Sequence, residues 1–208
     1  MKKFVHIADV QRRIFAAMLS QLDDSVGRVL ATVRESGLEE NTLVVLVSDN
    51  GGPTKELTSS NAPLRGGKGE LWEGGVRVPL IASWKGHVAA GRTVDVPVSS
   101  MDATVTALEL AGAATGGNQL DGASLLPLLA GKSDAAPHDA LFWRVGKQNA
   151  LRRGDWKLVR DGGAWKLFNL AADVGETVDL AAKEPTRVQE LDAIWTRWNA
   201  EQVAPLWK

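Results

Sequence analysis

Residues 42–52, Thr-Leu-Val-Val-Leu-Val-Ser-Asp-Asn-Gly-Gly, constrain the fold more than any other segment. The aliphatic, largely β-branched run at 43–47 predicts a strand buried on both faces, as in parallel sheets covered by helices. In open α/β sheets, ligands sit just past the carboxyl ends of such strands. Asp49 and Asn50 fall at that end, and Gly51-Gly52 lets the backbone turn away sharply. A carboxylate beside an amide oxygen suits a hard cation such as Ca²⁺ or Mg²⁺. Asp-Asn-Gly is also an ordinary turn sequence, so the segment alone leaves both readings open.

The flanking pattern supports an α/β class. Val10, Ile14, Met18, Leu22, Val26, Leu30 and Val33 recur every three or four residues, which predicts an amphipathic helix over 8–36. Asp9 can cap its start and Gly37 can end it. Helix, short loop and strand make half of a βαβ unit whose first strand is not in the chain. The chain is therefore expected to begin inside a fold. A long glycine-rich loop at 54–77 precedes a second strand at 78–84. Ser99 and Asp102 form a capping box for a helix ending near Leu110, and a short helix is expected over 123–130.

From residue 140 the pattern changes to short alternating stretches at 140–144, 149–152, 156–160 and 164–168, separated by glycine turns. This predicts an antiparallel meander. A last helix over 186–203 places Val188, Leu191, Trp195 and Trp198 on one face, suited to lie across that sheet. The expected organisation is an α/β domain over 1–135, a sheet flanked by helices. A small α+β subdomain over 136–208, meander plus helix, follows it.

With 208 residues, 44% of them hydrophobic, the chain can bury a sizeable core. A net charge of -1 gives no reason to invoke nucleic acid or an anionic membrane as partner. No apolar segment approaches a membrane span in length. The absence of cysteine excludes disulfides, thiolate metal sites and a cysteine nucleophile within these residues. Met1-Lys-Lys-Phe is not followed by the apolar core of a signal peptide, so the compartment stays open.

Other candidate motifs are weaker. Residues 65–69, Arg-Gly-Gly-Lys-Gly, lack the earlier glycine and the Ser/Thr of a phosphate-binding loop, which argues against a nucleotide site. Glycines around Lys68 would still let an ammonium approach an anionic ligand, the alternative being a solvated loop lysine. His6, His87 and His138 have no metal-ligand spacing and read as structural or surface residues. Asp23 and Asp24 read as the solvated face of the first helix. Asp173, Glu176 and Asp179 read as turn or capping residues.

The ordered segments LDDSVGRVL, NTLVVLVSDNGG, NAPLRGGKGELWEGGVRVPLIASW, SSMDATVTALELAG, LDGASLLPLL, ALRRGDWKLV and KLFNLAADVGET span almost the whole chain. Together they resemble the carboxyl-terminal half of a type I, formylglycine-dependent sulfatase of the alkaline phosphatase superfamily. The resemblance implies an alkaline-phosphatase-like sheet and hydrolysis of a carbohydrate or aryl sulfate ester. It implies that Asp49 and Asn50 complete a divalent cation site, usually Ca²⁺, and that Lys68 contacts the sulfate group. In that family the hydrated formylglycine attacks sulfur and displaces the alcohol.

The departures are as informative. The family's Cys-X-Pro-Ser-Arg segment, which supplies the nucleophile, is absent, as is a serine version of it. The remaining metal ligands and sulfate-contacting residues belong to the family's amino-terminal half, a partner this chain is expected to need. The isolated chain is expected to be inactive. The alternatives are a non-catalytic truncated relative, or a phosphoester or phosphonate hydrolase of the same superfamily.

Overall fold

A computed structural model describes residues 2–56, 59–113, 117 and 119–204. Contacts divide the chain into two compact units, Met1–Ser48, Pro53–Ser60 and Pro79–Pro137 in the first, Asp49–Gly52, Asn61–Val78 and His138–Lys208 in the second. The second unit thus takes in two segments that precede residue 79.

The first unit opens with helix α1, Val10–Glu35. Asp9 caps it by accepting a hydrogen bond from Arg12 N at 2.7 Å. It ends in a Schellman arrangement, with Gly37 N bonded to Arg34 O and Leu38 N to Val33 O, both at 3.0 Å. The expected apolar stripe is present, but no residue of α1 is buried. Val10, Ile14, Met18 and Leu22 are exposed.

Strand β1 is Val44–Val47, and it pairs antiparallel with β2, Leu80–Ser83, from Val44↔Ser83 to Val47↔Leu80. This corrects the expectation of a parallel strand buried on both faces. The connection from 48 to 79 is not a helical crossover, and a chain that doubles back onto the same strand pairs antiparallel. Among the described residues β2 is the sole strand on β1, and Leu46 and Val47 are left exposed.

Helix α3, Met101–Leu110, anchors the rest of this unit. The buried Asp102 carboxylate accepts from Ser99 N at 2.7 Å, the capping-box bond, and from Ala123 N at 2.8 Å. Buried Thr106 accepts from Leu125 N at 2.9 Å through its hydroxyl. These bonds hold the backbone of 123–125 against α3. Helix α4 is Leu126–Leu129 rather than 123–130: Pro127 has no amide to donate to Ala123 O and is tolerated only in the first turn of a helix.

The second unit is built on a four-stranded antiparallel meander of β3 Leu141–Val145, β4 Gln148–Arg153, β5 Trp156–Asp161 and β6 Lys166–Asn169. Period-two alternation sends its side chains to two cores. On one face Leu151, Leu158 and Leu167 pack against Leu191 and Trp195 of helix α5, Pro185–Ala200. Val188 and Trp198 join them, so the expected helical face is buried as the tryptophan spacing predicts. On the other face Ala150, Val159 and Phe168 pack with Leu71 and Leu170, and Trp72 closes over Phe168 edge-to-face at 5.8 Å.

That second face also carries charge. Arg152 and Lys157 are direct cross-strand partners with the same parity as Ala150 and Val159. Like charges opposite one another repel, so an anion must lie between them. Glu73, in the one-turn helix α2 Glu73–Val76, supplies it, with Oε1 at 2.9 Å from Lys157 Nζ and Oε2 at 3.3 Å from Arg152 Nη1. Glu176 completes the cluster. Its Oε2 accepts from Glu73 N at 2.7 Å, and its Oε1 lies 3.0 Å from Lys157 Nζ, a Coulombic contact off the hydrogen-bond axis. Glu73, Lys157 and Glu176 are at most 1% exposed.

Burial pushes the Glu176 carboxyl above its ordinary range, and the charge of Lys157 opposes that rise. Asp173, three residues earlier, is held below the usual range by the Val178 amide and its neighbours.

Three tests follow from this architecture. Asp102→Asn turns one acceptor toward an amide as a donor and should cost about 1–3 kcal/mol in denaturant unfolding. Lys157→Met leaves two buried carboxylates without their ammonium and should cost about 3–5 kcal/mol. Adding Glu73→Gln and Glu176→Gln to it should return part of that loss. For pH, a carboxyl raised in the folded state contributes stability present below its unfolded pKa and lost as pH rises through the folded one. Unfolding free energy of the natural chain relative to Glu176→Gln should therefore fall as pH rises from about 4 toward neutrality. A difference that stays flat or rises with pH would refute this assignment.

Candidate functional site

Asp49 and Asn50 follow β1 by two and three residues, and Lys68 lies in the glycine-rich segment 61–78. The chain joins these segments through backbone. Gly51 N donates to Gly75 O at 3.0 Å, and Lys68 N donates to Gly52 O at 3.2 Å. Asn61 staples the junction from inside. Its amide accepts from Gly52 N at 3.0 Å and donates to Gly52 O at 3.1 Å and Gly66 O at 3.0 Å.

This approach is so close that no side chain fits between the strands of backbone. A Cβ at Gly51 would stand 1.7 Å from Gly74 O, and one at Gly75 would stand 2.0 Å from Glu70 O. The glycines of Asp-Asn-Gly-Gly and Glu-Gly-Gly thus do more than turn the chain. They let 49–52 lie directly against 74–75.

The loop carrying Lys68 is tied at both ends. Gly74 N bonds to Arg65 O at 2.7 Å, and Gly67 N to Glu70 Oε2 at 3.0 Å. The Arg65 guanidinium lies 3.6 Å over the Trp72 ring and donates to Glu176 O at 2.9 Å. Gln148, the first residue of β4, donates to Gly69 O at 3.0 Å and accepts from Leu71 N at 3.3 Å. Below the loop, Glu73 is locked into the Arg152–Lys157–Glu176 cluster. Lys68 is exposed at the top of this fixed loop.

Asp49 is exposed and Asn50 half-buried. Asn50 N donates to Asp49 Oδ1 at 2.9 Å, and its Nδ2 donates to Gly51 O at 2.9 Å, which sets the plane of the amide. A carboxylate and an amide oxygen are hard donors, and their chemistry fits part of a Ca²⁺ or Mg²⁺ shell, which takes about six to eight oxygens for Ca²⁺. Among the described residues no group of three His, Asp or Glu side chains is arranged to hold a metal. His87 stacks on Trp84 at 4.0 Å, in keeping with a structural role.

Sequence reasoning placed Glu176 with the turn residues Asp173 and Asp179. Asp173 does bind the amides of Thr177 and Val178, and Asp179 accepts from Leu167 N and Ala181 N. Glu176 has a turn backbone, at φ 53°, but its side chain is part of the buried cluster. Glu73, Arg152, Lys157 and Gln148 were not singled out. A signal existed for Lys157: it shares strand parity with Val159, so a lysine there must enter the core and find a carboxylate.

The chain is similar to known proteins. Residues 4–113 match the sulfatase family, and residues 67–200 match the family described as N-sulphoglucosamine sulphohydrolase, C-terminal. Rat (Rattus norvegicus) steryl-sulfatase is 38% identical over 158 residues, covering 72% of this chain and 27% of its own length. A sulfatase of Formosa agariphila is 32% identical over 209 residues, covering 86% of this chain and 37% of its own. The crystal structure of Ps i-CgsB in complex with k-i-k-neocarrahexaose superposes on 99% of this chain and 47% of its own, with a TM-score of 0.90 and 32% identity. The chain thus spans about a quarter to under half the length of these relatives. The alkaline-phosphatase-like α/β class expected from the sequence is the fold this likeness carries. The chain belongs to the sulfatase family.

Proposed function

We propose that this chain forms the carboxyl-terminal part of a sulfuric ester hydrolase, with Asp49 and Asn50 as two ligands of a divalent cation and Lys68 as a contact to the substrate's sulfate. The observation that supports it best is the backbone junction of Gly51-Gly52 with the Lys68 loop and Gly75, which ties both sets of donors to one scaffold. An exposed ammonium on a fixed loop offers its charge to a sulfate oxygen without first ordering a flexible segment. Placed where negative charge develops, such a group stabilises the transition state more than the ground state. Asp49 and Asn50 would hold the cation, Ca²⁺ by the family's habit, and that ion supplies further charge neutralisation when bound.

The oligosaccharide bound to Ps i-CgsB supports a sulfated carbohydrate as the substrate class. The nucleophile and the other cation ligands would come from an amino-terminal half, since no cysteine or Cys-X-Pro-Ser-Arg segment lies in these 208 residues. On this reading residues 1–135 belong to the α/β domain of the whole enzyme and 136–208 to its small terminal subdomain.

The 208-residue chain alone should not hydrolyse 4-nitrophenyl sulfate, with or without Ca²⁺, and calorimetry should find Ca²⁺ affinity weaker than micromolar. Grafted in place of the matching part of the Formosa agariphila sulfatase, it should support turnover of a chromogenic sulfate. Lys68→Ala in that chimera should lower kcat by about 10²–10³. Sulfate hydrolysis by the isolated chain would overturn the proposal, as would unchanged kcat in the Lys68→Ala chimera. Preference of the chimera for a phosphonate ester would redirect the substrate class.

A further inference from the structure

We propose that Gln148 is a positioning residue for Lys68, an inference that rests on the sulfate-contacting role given to that lysine. Three observations carry it. Gln148 Nε2 donates to Gly69 O at 3.0 Å and its Oε1 accepts from Leu71 N at 3.3 Å. These backbone groups follow Lys68 by one and three residues, so a single amide spans the descending side of the loop. Gln148 itself is set in the sheet, paired with Val145 on β3 and Asp161 on β5.

The chemistry requires an amide. Gly69 presents an acceptor and Leu71 a donor, and only a side chain bearing both a donor and an acceptor satisfies the two at once. Glutamate lacks the donor and lysine the acceptor. On the opposite side the loop is held by Lys68 N on Gly52 O and by Asn61 on Gly66 O. Gly69 has φ +83° and nothing within 4 Å of its would-be Cβ, so local packing does not fix the backbone just after the lysine. The turn bond from Glu70 N to Gly67 O at 3.0 Å closes the loop on itself, and Gln148 is the group that ties it to the sheet. Removing it should let the Lys68 amide and ammonium sample more orientations while the hydrophobic cores on both faces of the sheet keep their contacts.

The test uses the ¹⁵N-labelled chimera with the Formosa agariphila sulfatase, which supplies the amino-terminal half, and sodium sulfate as probe, read at individual amides. Gln148→Met keeps the side-chain volume and removes both hydrogen bonds. It should weaken sulfate binding at the Lys68 amide about fivefold and raise Leu71 amide exchange by a similar factor, each the size of one lost neutral hydrogen bond. Exchange at Ala150 and Val159, in the sheet core, should not change. Lys68→Ala separates the two readings. If it weakens sulfate binding and Gln148→Met does not, the positioning role fails and the lysine reading stands. If sulfate binding is unaltered in Lys68→Ala, or no sulfate-dependent shift occurs at Lys68 in the unsubstituted chimera, the lysine reading fails and takes this inference with it. Weakened binding accompanied by faster exchange at Ala150 and Val159 would mark Gln148 as a general structural residue and overturn the proposal. A Gln148→Ala chain read the same way checks that the result does not depend on methionine.

Discussion

One buried carboxylate governs the second unit. Two cations face each other across β4 and β5, inside a core that otherwise holds Ala150, Val159 and Phe168. Without an anion the pair would have to leave the core, and the strands would lose register. Glu73 resolves this by reaching both cations, and in doing so it brings its own segment down onto the sheet. Since Glu73 opens the Glu-Gly-Gly turn, charge neutralisation and loop placement are one event. Glu176 holds the backbone amide of Glu73 and shares Lys157, so the 173–178 turn is drawn into the same knot. A buried pair of this kind is a poor source of net stability, because desolvation offsets most of the Coulombic gain. Its effect here is on geometry: only one arrangement leaves no charge unpaired.

Above that knot the architecture becomes almost pure backbone. Gly51 against Gly74, and Gly75 against Glu70, approach to distances that exclude a Cβ. Side-chain contacts tolerate adjustment by rotamer changes, whereas backbone contacts of this type transmit position directly. The separation of Asp49 and Asn50 from the Lys68 loop is therefore set by peptide geometry and by Asn61, not by mobile side chains. That is the property a catalytic constellation needs, since misplacement of even about 1 Å can cost a hundredfold in rate.

Much of this was legible in the sequence, for reasons that differ by element. Helix α1, the meander and α5 were readable because their periodicities of 3.6 and 2 are local and their caps are local. Asp9, Gly37 and the capping-box pair Ser99–Asp102 each act within a few residues. The antiparallel pairing of β1 was not readable, since an apolar run reports burial tendency and says nothing of its partner. Helix α4 was overestimated because Pro127, tolerated only in a first turn, does not sit inside a helix begun at 123. Glu176 looked like a turn residue because the turn is local and its partners, Glu73 and Lys157, are far away in sequence. Asp49, Asn50 and Lys68 stood out by motif, but Gln148 bears no motif and acquires its meaning only where a hairpin end meets a loop nearly eighty residues away.

The two units differ in how completely they are buried. The meander has a core on each face, and its hydrophobic side chains Leu151, Leu158, Leu167 and Ala150 are fully enclosed. Helix α1, in contrast, has caps and a regular apolar stripe but no buried residue. A helix gains most of its stability in proteins from packing such a stripe, not from intrinsic propensity. The segments that carry Asp49, Asn50 and Lys68 all group with the enclosed unit. The candidate site is thereby built on the unit whose sheet has a hydrophobic core on each face.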